Sequence, residues 1–142
     1  MIYTDLVKKA ALISFNAHKD DTDKSGYPYF MHPYFLAVQF DDEPSVCVAL
    51  LHDVIEDHGD IYSLELLKEQ GFYPEIIEAL RLLTHQKGVD YLEYIAAIKN
   101  NPIARKVKIA DLKHNLDVSR NNGVKPSKYD IYVKALAVLE SD

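Results

Sequence analysis

The sequence is poor in the features that mark several large classes of protein. It has a single cysteine, Cys47, so no disulfide can form within the chain, and this suits a reducing cytoplasm. No apolar run is long enough to span a bilayer, and Met1-Ile2-Tyr3-Thr4-Asp5 lacks the basic stretch that opens a secretory signal. Basic residues are outnumbered, 16 Lys and Arg against 22 Asp and Glu, for a net charge of −6. A nucleic-acid partner normally requires a basic face, so none is expected. There is no internal repeat, low-complexity tract or linker, and no sustained alternation of apolar and polar residues bounded by turn residues. These absences predict one cytoplasmic domain over residues 1–142, all-α, with neither membrane nor nucleic acid as partner.

What is present is helical patterning. With 142 residues and 48% hydrophobic content, the chain can bury a core of its own. Apolar spacing predicts helices over Thr4–His18 with Thr4 as cap, His32–Phe40 with Pro33 in the first turn, and Pro44–Glu56. Further helices are predicted over Ser63–Gln70, Pro74–Thr84, Asp90–Asn100, Pro102–Ser119 and Ser127–Glu140. Residues His18 to Met31 read as a polar loop rich in turn formers. Cys47 falls in an apolar helix and reads as a small buried hydrophobe, not a nucleophile.

The run Ala49-Leu50-Leu51-His52-Asp53-Val54-Ile55-Glu56-Asp57 concentrates the chemistry. On a continuous helix its four ionisable side chains share roughly 140° of one face, with His52 above Glu56 and Asp53 above Asp57. From Pro44 to Leu51 there is no Lys, Arg, Glu or Gln, so the helix has no solvent stripe. Burying adjacent His and Asp is costly unless their charge is compensated, and a divalent metal would compensate it. His32, His52, Asp53 and Asp111 together offer two imidazoles and two carboxylates, a donor set suited to a transition metal with positions left for water or substrate. Asn115 lies one turn beyond Asp111 on the same face.

Singly, these residues have plainer readings. His32 before a proline is a capping or surface residue, and Asp111 is an ion-pair partner for Lys108 or Arg105. Glu56 and Asp57 read as a solvated helix end, although acids there meet the negative end of the helix dipole. Lys24 reads as an ordinary loop lysine, and His18 as a helix-end cap. His85 and His114 read as packing or surface residues, His58 stands close to the motif but matches no position in it, and none of the three is given a catalytic role.

Taken together the motifs resemble the HD-domain metal-dependent phosphohydrolases, named for the His-Asp pair, and more closely the hydrolase domain of RelA/SpoT-type alarmone enzymes and their small stand-alone relatives. The resemblance rests on Ala17-His18, Lys24-Ser25-Gly26, Pro28-Tyr29, His32-Pro33, Ala49 to Asp57, Leu83-Thr84 and Lys108 to Asn115. It implies an HD helical bundle that binds manganese through His32, His52, Asp53 and Asp111, or another divalent transition metal in its place. Glu56 and Asp57 would be the catalytic acids that position water and move protons, with Lys24, Ser25 and Asn115 contacting a small nucleotide substrate. The implied reaction cleaves (p)ppGpp to GDP or GTP and pyrophosphate with a metal-activated water, as part of a stringent response. Asp23 stands where the family usually has arginine, as does Leu112 after the last ligand, and the region beyond Ser119 is short. Those departures keep two alternatives open: a nucleotidase or phosphatase of the same superfamily acting on another phosphorylated metabolite, and a non-catalytic nucleotide-binding HD module.

Overall fold

Residues Ser45 to Leu51 are all buried, so the segment that contains them must run through the middle of the molecule. In the computed structural model, which describes all residues from Met1 to Asp142, that segment is α3 (Glu43–Leu51). Its start is fixed locally: the Asp42 carboxylate accepts from the Ser45 amide at 3.0 Å, and Pro44 occupies the first turn, where its missing N–H costs nothing. Around it pack α1 (Asp5–His18), α2 (Met31–Ala37), α6 (Pro74–Leu83) and α8 (Pro102–Leu116). The remaining helices are α4 (Val54–His58), α5 (Leu64–Glu69), α7 (Tyr91–Lys99) and α9 (Tyr129–Glu140). The fold is all-α, as the sequence predicts, and its core joins Leu36, Leu50, Leu80, Ile95, Leu112 and Leu139. Each such side chain contributes about 1.5–3 kcal/mol by leaving water.

Most predicted ends fall where the capping residues stand. Thr4 Oγ1 accepts from the Val7 amide at 3.1 Å, and Ser63 Oγ from the Leu66 amide at 3.1 Å. Asp90 caps α7 and Asn101 caps α8 in the same way. Helix α5 stops at Gly71, whose φ of +97° is a conformation glycine adopts without strain, and the Phe72 amide then closes back onto the Leu67 carbonyl.

Two predicted helices are broken, and both breaks lie at the site. Pro44–Glu56 is not one helix: the chain leaves the helical path at His52-Asp53 and resumes as α4. The cause is a side chain competing with the backbone. His52 Nδ1–H donates to the Ala49 carbonyl at 2.7 Å, and Asp53 turns to φ −103° and ψ −4°. Glu56 and Asp57 therefore stand in the first turn of a short new helix, not at the dipole-disfavoured end of a long one. Likewise Pro102–Ser119 ends at Leu116, because Asp117 takes an extended conformation and caps a 3-10 turn over Val118–Asn121.

Candidate metal centre

Three elements converge where α3 ends. Helix α2 brings His32 and the α3–α4 corner brings His52 and Asp53, while α8 brings Asp111. His32 Nε2 lies 2.9 Å from Asp111 Oδ1 and 3.9 Å from Asp53 Oδ2. His52 Nε2 lies 3.0 Å from Asp53 Oδ2 and 3.6 Å from Asp111 Oδ1. His32, His52 and Asp111 are buried. No sequence separation predicts this: the partners are up to 79 residues apart.

These residues fit a divalent ion. The hydrogen bond from His52 to Ala49 fixes the ring so that Nε2 faces the two carboxylates, and there it is buried without a hydrogen bond of its own. A ring nitrogen left unpaired between carboxylates is a polar group that a cation satisfies. One ligating atom each from His32, His52 and Asp53 falls within 4.8 Å of the other two, and Asp111 Oδ1, outside that trio, stands within 3.6 Å of both imidazoles.

The electrostatics show concentrated negative charge, which is met here by a proton on His52 and would be met by a cation in its place. Burial acts to lower the His52 pKa, but Asp53 and Asp111 outweigh it and hold the imidazole well above its ordinary value. Burial would raise Asp53, yet the adjoining His52 keeps it well below the usual carboxylate range. Asp111 is held low against the same burial, first by Lys108, whose Nζ donates to Oδ2 at 2.8 Å. The ion pair with Lys108 thus coexists with the ligand position, one carboxylate oxygen serving each. Arg105 is engaged elsewhere, donating to the Leu139 carbonyl.

A cavity of about 430 Å³ opens over the cluster, walled in part by Asp53, Glu56, Asp111, Asn115, Lys128 and Tyr132. Glu56 faces it, and its pKa is raised by burial and by Asp53. Asp57 does not line it, and burial with the charges of Asp53 and Glu56 pushes its carboxyl up to about 6. Asn115 Nδ2 donates to Asp111 Oδ1 at 3.1 Å. Lys24 and Ser25 line a neighbouring cavity of about 330 Å³ that shares Tyr29, Asn115 and Tyr132 with the first. The Ser25 hydroxyl is 2.8 Å from Asn121 Oδ1, so the loop and the 3-10 turn close that cavity together.

Three participants escaped the sequence reading. Tyr29 donates its hydroxyl to Asp53 Oδ2 at 2.5 Å. His114, read as packing or surface, has its Nδ1 2.7 Å from His32 Nδ1; its place three residues beyond Asp111, on the same helix face, was the available signal. Arg120 donates to Asn115 Oδ1 at 3.2 Å and borders the second cavity. The two family departures also find reasons. Asp23 Oδ1 accepts the amides of Ser25 and Tyr27, each at 2.9 Å, which an arginine could not do, and Leu112 is fully buried in the core.

No protein-family model matches the chain. Among curated proteins it is 31% identical over 126 residues to GTP pyrophosphokinase rsh of Brucella melitensis, covering 78% of this chain and 16% of that protein. It is 32% identical over 119 residues to guanosine-3′,5′-bis(diphosphate) 3′-pyrophosphohydrolase of Haemophilus influenzae, covering 74% and 17% respectively. With bifunctional (p)ppGpp synthase/hydrolase SpoT of Escherichia coli K12 the identity is 31% over 123 residues, covering 78% and 17%. The chain therefore spans only 16% to 17% of the length of these relatives. It shares its fold with a solved structure of a metazoan SpoT ortholog described as hydrolysing ppGpp, at a TM-score of 0.78 and 22% identity over 99% of this chain and 89% of that one.

Proposed function

We propose that this HD-type hydrolase domain, similar to those of RelA/SpoT enzymes, is a metal-dependent hydrolase that removes the 3′-pyrophosphate of (p)ppGpp, leaving GDP or GTP. The observation that carries the reading is the orphaned His52 Nε2 facing Asp53 and Asp111, two carboxylates that line a cavity also bordered by Glu56 and Asn115. The relatives named for ppGpp hydrolysis support the choice of substrate. We further read residues 1–142 as one domain working in the cytoplasm in a stringent response. No helix is long and apolar enough to cross a membrane.

His32 Nε2, His52 Nε2, Asp53 Oδ2 and Asp111 Oδ1 would hold the metal, manganese by family resemblance. When bound it supplies a Lewis acid that polarises a phosphoryl oxygen and lowers the pKa of water. The protein's own groups handle the rest. Water oxygen adds to the 3′ phosphorus, the bond from phosphorus to the ribose 3′ oxygen breaks, and pyrophosphate leaves. Glu56, facing the cavity, orients the attacking water. Asp57, beside Glu56 but outside the cavity wall, would take up the proton by relay, as the family resemblance implies; burial, Asp53 and Glu56 push its carboxyl up to about 6 in the metal-free chain. A proton must reach the departing ribose oxygen, and the same pair of carboxyls can return it. Asn115 Nδ2 and Ser25 sit where they can contact sugar or phosphate oxygens, and the ammonium groups of Lys24 and Lys128 can face phosphate charge at the two cavities.

The test is direct. Manganese-loaded protein should release pyrophosphate and GDP from ppGpp, and His52→Ala and Asp53→Ala should each abolish the release. Unchanged turnover in both variants would overturn the assignment. A second substrate reading is favoured by Asp23, because a carboxylate stands at the cavity wall in the position where the family usually has arginine, and it lies 3.9 Å from the Arg120 guanidinium that borders the same cavity. Hydrolysis of another phosphorylated metabolite with none of ppGpp would establish that reading.

A further inference from the structure

A second cluster of ligating side chains lies on the other side of Tyr29, and the function above does not use it. Tyr29 packs against His32 on one side and His18 on the other, with ring centroids 5.8 Å and 4.9 Å away. His18 ends α1, Asp21 follows in the loop, and His58 ends α4. One carboxylate oxygen, Asp21 Oδ2, lies 3.2 Å from His18 Nδ1 and 2.6 Å from His58 Nε2. One ligating atom from each residue falls within 4.8 Å of the other two.

We propose that His18, Asp21 and His58 form a second site for a divalent transition ion, separate from the one built on His52 and Asp53. Two imidazoles and one carboxylate are the donors that a borderline ion such as zinc accepts in a three-ligand site, and they select against magnesium or calcium. His18 is 1% exposed, and the Nδ1 that it turns to the cluster has only the long 3.2 Å contact with Asp21, which leaves it available to an ion. Burial also keeps that imidazole in the neutral form that metals bind. The other two ligands reach the surface, with side chains 36% exposed at Asp21 and 23% at His58, which gives an ion an entry path and leaves room for water. The ligands come from the end of α1, the following loop and the end of α4. A bound ion would therefore tie to α1 the short helix that carries Glu56 and Asp57.

The experiment uses the whole chain stripped by chelator and titrated with cobalt(II) alone, with bound metal counted after equilibrium dialysis and the cobalt absorption bands recorded. The native chain should bind two equivalents. His58→Gln and Asp21→Asn should each bind one and lose the same set of bands, while circular dichroism and melting confirm the fold. His58→Gln keeps an N–H for Asp21, so loss of metal in that variant is not loss of the contact. Asp53→Ala should also bind one equivalent, with the other set of bands missing. Two equivalents that persist in both His58→Gln and Asp21→Asn would overturn this site, as would a native stoichiometry of one that Asp53→Ala removes. A native stoichiometry of one that survives Asp53→Ala but not His58→Gln would support this site and instead count against the centre at His52.

Discussion

The imidazoles of His32 and His114 lie in planes 2° apart, with their Nδ1 atoms 2.7 Å from one another. One nitrogen must donate. Asp111 can only accept, so without an ion His32 Nε2 donates to it; with Nε2 given to a metal, the His32 proton belongs on Nδ1 and is donated to His114. His114 is suited to accept it. Burial first, then His32 and Arg120, push its pKa down to about 4, so it stays neutral at physiological pH. Its other face stacks on Phe35, with ring centroids 4.2 Å apart, and this holds the ring in register.

From that contact we expect His114→Phe to keep the stack on Phe35 while removing the acceptor for His32. An outer partner that fixes a ligand's tautomer typically accounts for about 10–100-fold in metal affinity. Manganese affinity, measured by calorimetric titration, should fall by that factor, and melting of the metal-free protein should change little. An unaltered affinity would show that His32 needs no such partner.

The metal itself should stabilise the fold. At a free manganese concentration about 100-fold above Kd, binding to the native state alone adds about 2.7 kcal/mol. Thermal melting should therefore shift upward with manganese in the native chain, and by clearly less in His52→Ala and Asp111→Ala, where only the cluster at His58 remains to bind an ion. A shift of the same size in those variants would place the ion elsewhere.

Which parts of this arrangement were legible in the sequence follows from the range of the interactions involved. Helices α1, α5, α7 and α8 begin at Thr4, Ser63, Asp90 and Asn101, residues whose side chains cap within three positions, so local chemistry predicts them. The ligand candidates were visible because a buried apolar helix carrying His and Asp requires a charge partner. The break at His52 was not, because hydrophobic periodicity is blind to a side chain taking the Ala49 carbonyl. Tyr29 and His114 were missed for a different reason. Each acts on a residue brought close only by folding, 24 positions away for Tyr29 and 82 for His114.

Tyr29 offers a test of how the ligands are held in place. Its hydroxyl donates to the charged Asp53 at the cavity wall, and hydrogen bonds to charged groups contribute about 1.5–3 kcal/mol. Tyr29→Phe keeps the ring against His18 and His32 and removes only that donor. Denaturant unfolding of the metal-free chain should show a loss within that range, and Asp53 should bind metal less tightly for lack of orientation. A variant as stable as the native chain would mean that water replaces the hydroxyl without cost.

Asp57 links the proposed chemistry to stability through one titration. Burial, Asp53 and Glu56 raise its folded pKa from 3.8 to about 6, so the folded state prefers the protonated carboxyl. Below pH 3.8 the group is protonated whether folded or unfolded and has no effect on stability. As pH rises from there through about 6, the unfolded chain ionises more readily, and the folded state loses stability progressively. Asp57→Asn should therefore melt higher than the native metal-free chain at pH 8 and at the same temperature near pH 3.5. If the carboxylate accepts the proton of the attacking water, kcat/KM of the metal-loaded enzyme should fall on the acidic side, at a pH below that of the metal-free titration because an ion on Asp53 weakens one of the charges that raise Asp57. In Asp57→Asn that acidic limb should disappear along with most of the rate. Full activity in Asp57→Asn would remove Asp57 from proton transfer and leave Glu56, which faces the cavity, as the carboxyl that performs it.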